Sequence, residues 1–176
     1  INLSVPNIYA EGKLELEISD SFFSGNFLIG AGIVGSAIDY NTNIKNQDVI
    51  IKKSKFINHD SNLSSLVINI VTNPVLEPIG DNLNFVLMDC EFINNKSCLR
   101  LRIPNKLLNS KFIVSNTIFK DNVGLIILDK SNLPILDAQI LNCTFFKNNS
   151  GIDKVYVDSN FVINIVNSIF WEDLPL

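Results

Sequence analysis

The chain has 176 residues, of which 47% are hydrophobic and 18% are charged. This composition excludes a disordered chain and fits one folded domain with a continuous core. A formal charge of −4 and a pI near 4.9 argue against nucleic acids and anionic membranes as partners, and no apolar run approaches the roughly 18 residues of a spanning helix.

A short motif recurs along the whole chain. It consists of a corner residue, a small residue, any residue, a Phe, two further residues and a polar residue. Its copies begin at Asp20, Lys53, Asp89, Asn116, Asn142 and Asn167. The Phe positions are separated by 33, 36, 27, 26 and 25 residues. The last intervals indicate a basic repeat of about 25 residues, as in solenoid proteins.

A strand is predicted immediately before each copy, because two alternate positions are apolar in every repeat and the position between them is mixed. In the first repeat these apolar positions are Leu16 and Ile18. The small residue of the motif lies three positions after the second of these apolar residues and is also expected to be buried. This odd spacing breaks the two-residue period and predicts a sharp corner between two strands. Asn and Asp favour such corners because they tolerate left-handed backbone angles.

A second corner is predicted after each Phe, followed in most repeats by a third apolar strand, as at Leu66–Ile68 and Leu99–Leu101. Two apolar segments, residues 27–36 and 71–83, interrupt the first repeats as insertions. We expect them to pack together, to cover an end of the stack, or to contact a missing part of the chain; the first segment is equally compatible with a strand of its own coil.

The fold class predicted from this pattern is all-β: a right-handed, single-stranded parallel β-helix of about six coils, with three short strands per coil. We expect residues 1–176 to form a single β-helix domain that belongs to a longer chain. A β-sandwich would not require the same residue type at the same phase in every repeat. A leucine-rich repeat would show Leu, rather than Phe, in its ladder.

Two structural ladders follow from the repeat. The Phe ladder should stack in the core and comprises Phe23, Phe56, Phe92, Phe119, Phe145 and Phe170. The polar ladder should satisfy backbone groups at the second corner and comprises Asn26, His59, Asn95, Asn122, Asn148 and Asp173.

Cys90 and Cys143 share one ladder position two repeats apart, beyond disulfide reach, so we expect them and Cys98 to be free thiols.

The repeat resembles the parallel β-helix repeats of the pectate-lyase-like superfamily of polysaccharide enzymes. It also resembles surface adhesins, including the polymorphic membrane protein family of autotransporter passengers. Their Phe-x-x-Asn motif occurs here at Phe23–Asn26, Phe92–Asn95, Phe119–Asn122 and Phe145–Asn148, and Gly35–Ile38 is near their second, glycine-containing motif. The departures are His59 and Asp173 in place of Asn, and the single copy of the glycine motif. The resemblance implies an architecture, and fold alone does not fix function.

Candidate binding residues are few. Glu15, Glu17 and Asp48 occupy outward positions of neighbouring strands. They form either a solvated acidic face, which we favour, or part of a metal or acid–base site. Arg100 and Arg102, the two arginines of the chain, alternate with apolar residues and could grip the carboxylates of acidic sugars or simply form a charged outer face. We predict no catalytic residues, no cofactor and no metal ion.

The function expected from these observations is a non-catalytic secreted or cell-surface module for adhesion, for binding a glycan or a protein, or for use as a stalk. One alternative is a fragment of a polysaccharide lyase or glycoside hydrolase. Another is a structural tile whose ends pack on flanking domains or other copies. The expected partners are a polysaccharide or a cell-surface protein, and the expected location is extracellular or at the cell surface.

Overall fold

In the computed structural model, the described residues are 2–4, 13–25, 38–42, 46–59, 66–72, 81–103, 107–130, 136–149, 152–155 and 162–172. They contain strands and no helix. Each strand belongs to one of three parallel sheets, here called sheets A, B and C. The prediction of an all-β chain built from stacked parallel strands is therefore confirmed.

The strands follow one another in the order A, B, C along the chain. Sheet A contains β1 (Asn2–Ser4), β4 (Ile38–Thr42), β7 (Leu66–Thr72), β10 (Ser97–Ile103), β13 (Gly124–Lys130) and β16 (Ile152–Val155). Sheet B contains β2 (Lys13–Ser19), β5 (Asn46–Lys52), β8 (Asp81–Met88), β11 (Leu107–Ser115), β14 (Leu136–Leu141) and β17 (Val162–Val166). Sheet C contains β3 (Phe22–Ser24), β6 (Lys55–Ile57), β9 (Glu91–Ile93), β12 (Ile118–Lys120), β15 (Thr144–Phe146) and β18 (Ile169–Trp171).

Strand pairing places equivalent residues of successive repeats beside one another. Phe119, for example, is in register with Phe92 on one side and with Phe145 on the other. The resulting Phe ladder is a continuous stack, with ring centroids 4.4 to 5.0 Å apart and interplanar angles of 16° or less. The inner four rings are fully buried, and Phe23 and Phe170 on the outermost strands are partly buried.

Sheet B supplies the other large part of the core. Its inward positions alternate with outward ones, as the two-residue period of a strand requires. The inward side chains include Val49, Phe85, Phe112 and Ala138, all fully buried. The rings of Phe85 and Phe112 stack 5.4 Å apart.

The corners are made by residues with left-handed backbone angles. The predicted corner residues between sheets B and C all have φ between 48° and 55°. A second set follows each strand of sheet C: Gly25, Asn58, Asn94, Asp121, Lys147 and Glu172, with φ between 53° and 64°. Asn, Asp and Gly adopt this conformation readily, whereas it costs other residues, such as Lys53, about 1–2 kcal/mol. The predicted corners are confirmed.

The strands of sheet A differ from the short third strands predicted from sequence. β7, β10 and β13 each contain seven residues, because parallel pairing continues beyond the apolar segment. Residues 27–36 lie outside the described part of the chain. Of residues 71–83, the structure describes 71–72 at the end of β7 and 81–83 at the start of β8.

Candidate binding surface

The five binding residues predicted from sequence lie on two different sheets. Glu15 and Asp48 are in register on β2 and β5 of sheet B, and Glu17 follows two residues along β2. Arg100 and Arg102 belong to β10 of sheet A, where Arg102 is in register with Asp129 of β13. The acidic group and the arginine group therefore form no single site.

The acidic group on sheet B is partly neutralised. The Lys52 ammonium forms an ion pair with the Glu17 carboxylate, and both side chains are exposed. This hydrogen bond and the accompanying charge attraction raise the pKa of Lys52. Exposed ion pairs of this kind contribute little to stability, and a carboxylate held by a lysine is poorly placed to act as a general acid.

The polar ladder has a structural role. The Oδ1 atom of Asn122 accepts hydrogen bonds from the backbone N–H and the side-chain amide of Asn95, at 2.9 and 3.0 Å. Its Nδ2 donates to the Phe92 carbonyl and to Asn148 Oδ1, both at 3.0 Å. Asn122 is buried, so it serves to satisfy backbone groups that water cannot reach. Asn26 and Asp173 lie outside the described residues.

The three cysteines are buried and free. Desolvation by burial raises the pKa of Cys90 to about 11 and raises those of Cys98 and Cys143 as well. Since the thiolate is the nucleophile and the metal ligand, these thiols are poorly suited to covalent or metal chemistry.

A surface that the sequence reasoning did not single out lies on the outer face of sheet C. Each strand of this sheet has three residues, and the two that flank the buried ladder Phe point outward. Most of these outward residues are apolar: Phe22, Ile57, Ile93, Ile118, Phe146, Ile169 and Trp171. The signal was present in the sequence, as apolar residues directly beside the ladder Phe.

Several of these side chains are largely open to solvent. The exposed fractions are 63% for Phe22, 42% for Ile118, 57% for Ile169 and 60% for Trp171. Single exposed apolar residues are common, but a contiguous group of them on a soluble protein marks an interaction site. The contiguous group lies at one end of sheet C, on β12, β15 and β18, because the ion pair between Lys55 and Glu91 on the middle strands separates it from Phe22.

The densest part of this face spans β12, β15 and β18, and we call it the C-face patch. It has two rows in strand register: Ile118, Thr144 and Ile169 in one, and Lys120, Phe146 and Trp171 in the other. With strands about 4.8 Å apart and alternate residues about 7 Å apart, the patch covers roughly 10 by 7 Å between its outermost Cα positions.

Charged groups line one side of the C-face patch. Lys147 pairs with Glu172 at 3.5 Å, and Lys120 with Asp121 at 3.8 Å. The two ammonium groups also lie 5.0 and 5.9 Å from the centroid of the Phe146 ring, within cation–π range.

Two further polar features border the aromatic side chains of the patch. The indole Nε1 of Trp171 donates a hydrogen bond of 3.0 Å to Glu172 Oε1, which restrains the indole ring. On the opposite side, the exposed corner amides belong to Asn116, Asn142 and Asn167, and the first two share a hydrogen bond of 3.3 Å. The C-face patch is therefore an apolar centre between two polar borders.

Comparison with known proteins finds no matching family model, no matching curated protein and no matching solved structure. The described ranges contain no group of three or more His, Cys, Asp or Glu side chains placed to hold a metal ion. They also contain no helix long and apolar enough to cross a membrane.

Proposed function

We propose that this chain is a non-catalytic binding module that works outside the cell, as a secreted or cell-surface scaffold for adhesion or recognition. The observation that carries the proposal is the C-face patch, whose exposed apolar side chains include Ile118, Ile169 and Trp171. A fold that needed only to be stable would gain little from placing these side chains in water.

The composition of the C-face patch favours binding. Trp and other aromatic residues are enriched where a few side chains supply most of the binding energy, especially when polar groups surround them. Trp171 and Phe146 have such surroundings, between the charged border and the corner amides. The ladders beneath fix the strands that carry these side chains, and the hydrogen bond from Trp171 to Glu172 restrains the indole ring. Both reduce the entropy lost on binding.

The scaffold proposed for this function is a right-handed β-helix of six coils. Three sheets of six parallel strands, visited in the order A, B, C, support the coil count. The strong preference of parallel strands for right-handed connections supports the handedness. Its relationship to surface adhesins of similar repeat belongs to the same proposal and rests on the Phe-x-x-Asn motifs.

The alternative of a lyase or hydrolase fragment has weaker support. Such an enzyme needs carboxylates grouped with a base or with each other. Here Glu17 is paired with Lys52, and the two arginines lie on a different sheet from Glu15 and Asp48. These residues therefore do not form a shared acid–base site.

The proposal is tested by applying the labelled protein to arrays of glycans and of extracellular proteins, with Ca²⁺ and with EDTA. The test variant is Ile118→Ser/Ile169→Ser/Trp171→Ser, and the control is Met88→Ser, on the outer face of sheet B. We expect wild type and control to bind the same ligand and the test variant to lose binding by about tenfold or more. Equal binding by the test variant, a blank array for wild type, or release of product from a polysaccharide would contradict the proposal.

A further inference from the structure

We propose that the ligand of the C-face patch is an uncharged glycan that lies flat across β12, β15 and β18. This inference rests on the proposed binding function and specifies the chemical class of the partner. It follows from the flatness of the patch, from its charge balance and from the polar groups at its borders.

The flatness comes from the regularity of sheet C. β12, β15 and β18 have three residues each and pair without a register shift, so their outward side chains stand in two straight rows. Backbone groups at the ends of these strands are hydrogen-bonded to the next repeat, as for Lys147 N–H to the Trp171 carbonyl. A peptide lying across β12 and β15 would find no strand edge to pair with, because both strands are paired on both sides and the open edge of sheet C belongs to β18. A ligand with a flat apolar side needs no such edge.

A pyranose ring has such a side. Its C–H groups carry partial positive charge and are attracted to the negative face of an aromatic ring. Trp171 is 60% exposed, and its ring is restrained by the bond from Nε1 to Glu172. Phe146 lies beside it in strand register. Trp171 thus offers an open apolar surface. The half-buried Phe146 ring, with its two ammonium groups, lies next to it along the direction in which an oligosaccharide would extend.

The charges of the patch balance one another and favour neither an anionic nor a cationic partner. Lys120 and Lys147 are balanced by Asp121 and Glu172, and both ammonium groups lie close to the Phe146 ring. An anionic glycan would gain attraction from two ammonium groups and repulsion from two carboxylates, and a cationic glycan the reverse, so neither gains a net charge attraction. A neutral ligand leaves both ion pairs in place.

The borders provide hydrogen-bonding groups suited to hydroxyls. Carboxylate oxygens accept from a hydroxyl, an ammonium donates to one, and an amide can do both. Asp121 and Glu172 are on one side of the patch, and Asn116 and Asn142 are on the other. A few polar groups around an apolar centre are the usual composition of a site that fixes the orientation of its ligand.

The chain itself supplies the probe, since Trp171 is its one tryptophan. We would titrate the wild-type protein with neutral oligosaccharides of glucose, mannose and galactose and with oligogalacturonate, and follow tryptophan fluorescence. A neutral oligosaccharide should give a saturable blue shift whose midpoint hardly changes with salt concentration, because no ion pair forms. Oligogalacturonate should give none.

Variants localise the site, with calorimetry as the readout because Trp171→Ser has no tryptophan. Trp171→Ser should weaken binding by about tenfold or more. Phe22→Ser is the matched control, since Phe22 is as exposed as Trp171 and lies on the same face at the far edge strand. Its affinity for the oligosaccharide should equal that of wild type.

The outcomes distinguish a failure of this inference from a failure of the proposed binding function. Preference for the acidic oligosaccharide, or equal losses from Trp171→Ser and Phe22→Ser, would overturn the inference. Binding of an extracellular protein through the patch, with no response to neutral oligosaccharides, would also overturn it but leave the binding function standing. Absence of any ligand dependent on sheet C would overturn both.

Discussion

The Nε2 atom of His59 lies 3.3 Å from the carbonyl oxygen of Phe23, 36 residues earlier in the chain. Asn95, Asn122 and Asn148 donate their side-chain amides to the ladder Phe of the preceding repeat in the same way. His59 therefore replaces an Asn in the polar ladder. Since a carbonyl can only accept, Nε2 carries the proton, and Nδ1 is buried with no hydrogen-bond partner among the described residues.

The presence of His59 at an Asn position of the ladder should make the stability of the protein depend on pH. Desolvation lowers the pKa of His59 below its ordinary value of 6.5, and the bond to the Phe23 carbonyl opposes this only in part. Between the lowered pKa and 6.5 the unfolded chain binds more protons than the folded one. The free energy of unfolding should therefore fall as the pH drops through 6.5 and level off below the lowered pKa.

The matched variant is His59→Asn, which restores the ladder residue and removes the titrating group. We would measure the free energy of unfolding of both proteins in urea from pH 8 to pH 4.5. That of His59→Asn should rise relative to that of wild type as the pH falls through 6.5. The same difference between the two proteins at every pH would mean that His59 is not buried in its neutral form.

Asn122→Ala should be strongly destabilising. It removes the acceptor of the Asn95 backbone N–H and the donor to the Phe92 carbonyl, both in the buried ladder. Leaving these groups without partners should lower the free energy of unfolding by between about 2 and 4 kcal/mol. Asn149→Ala is the control, because the Asn149 side chain is exposed, and chemical denaturation should place it within about 0.5 kcal/mol of wild type. Comparable losses in both variants would contradict the assigned ladder.

The cysteines should respond differently to replacement by Ser. The Cys90 thiol donates to the Met88 carbonyl at 3.2 Å, and the Ser54 hydroxyl makes the same bond to Lys52 one repeat earlier at 2.9 Å. Cys90→Ser should therefore change the free energy of unfolding by less than about 1 kcal/mol. Cys98 is fully buried, and a hydroxyl there should cost about 1–3 kcal/mol. Thermal unfolding of the two variants in parallel measures the difference; a larger loss for Cys90→Ser would contradict it.

The framework of the fold could be predicted from the sequence because the same residue type recurs at the same position of each repeat. Phe119 was predicted in the core from its spacing alone, and Asn116 at a corner from its tolerance of left-handed backbone angles. Both predictions are confirmed by burial and by φ. Such positions are readable because each is constrained by its equivalents in the neighbouring repeats.

The candidate site was less readable. Glu15 and Arg100 were chosen for their charges, on the first and third strands of the repeat, and these strands belong to sheets B and A. Charge alone does not show whether the groups around a residue complete a site. Ile118 was treated as an unconstrained position of the motif. Its apolar side chain could be assigned to a surface patch only when the strand register placed it beside Thr144 and near Trp171 on one outer face.

The central claim is that inward residues of sheet C stabilise the fold and outward residues of the C-face patch bind the ligand. Consecutive residues of β12 test it directly. Phe119 is fully buried and Ile118 is 42% exposed. For Phe119→Leu and Ile118→Ser, we would measure both the free energy of unfolding and the affinity for the neutral oligosaccharide that most strongly shifts Trp171 fluorescence. Phe119→Leu should lose about 1–3 kcal/mol of stability and keep its affinity, whereas Ile118→Ser should lose affinity and keep stability within about 1 kcal/mol. The reverse pattern, or an Ile118→Ser variant that binds like wild type, would contradict the account.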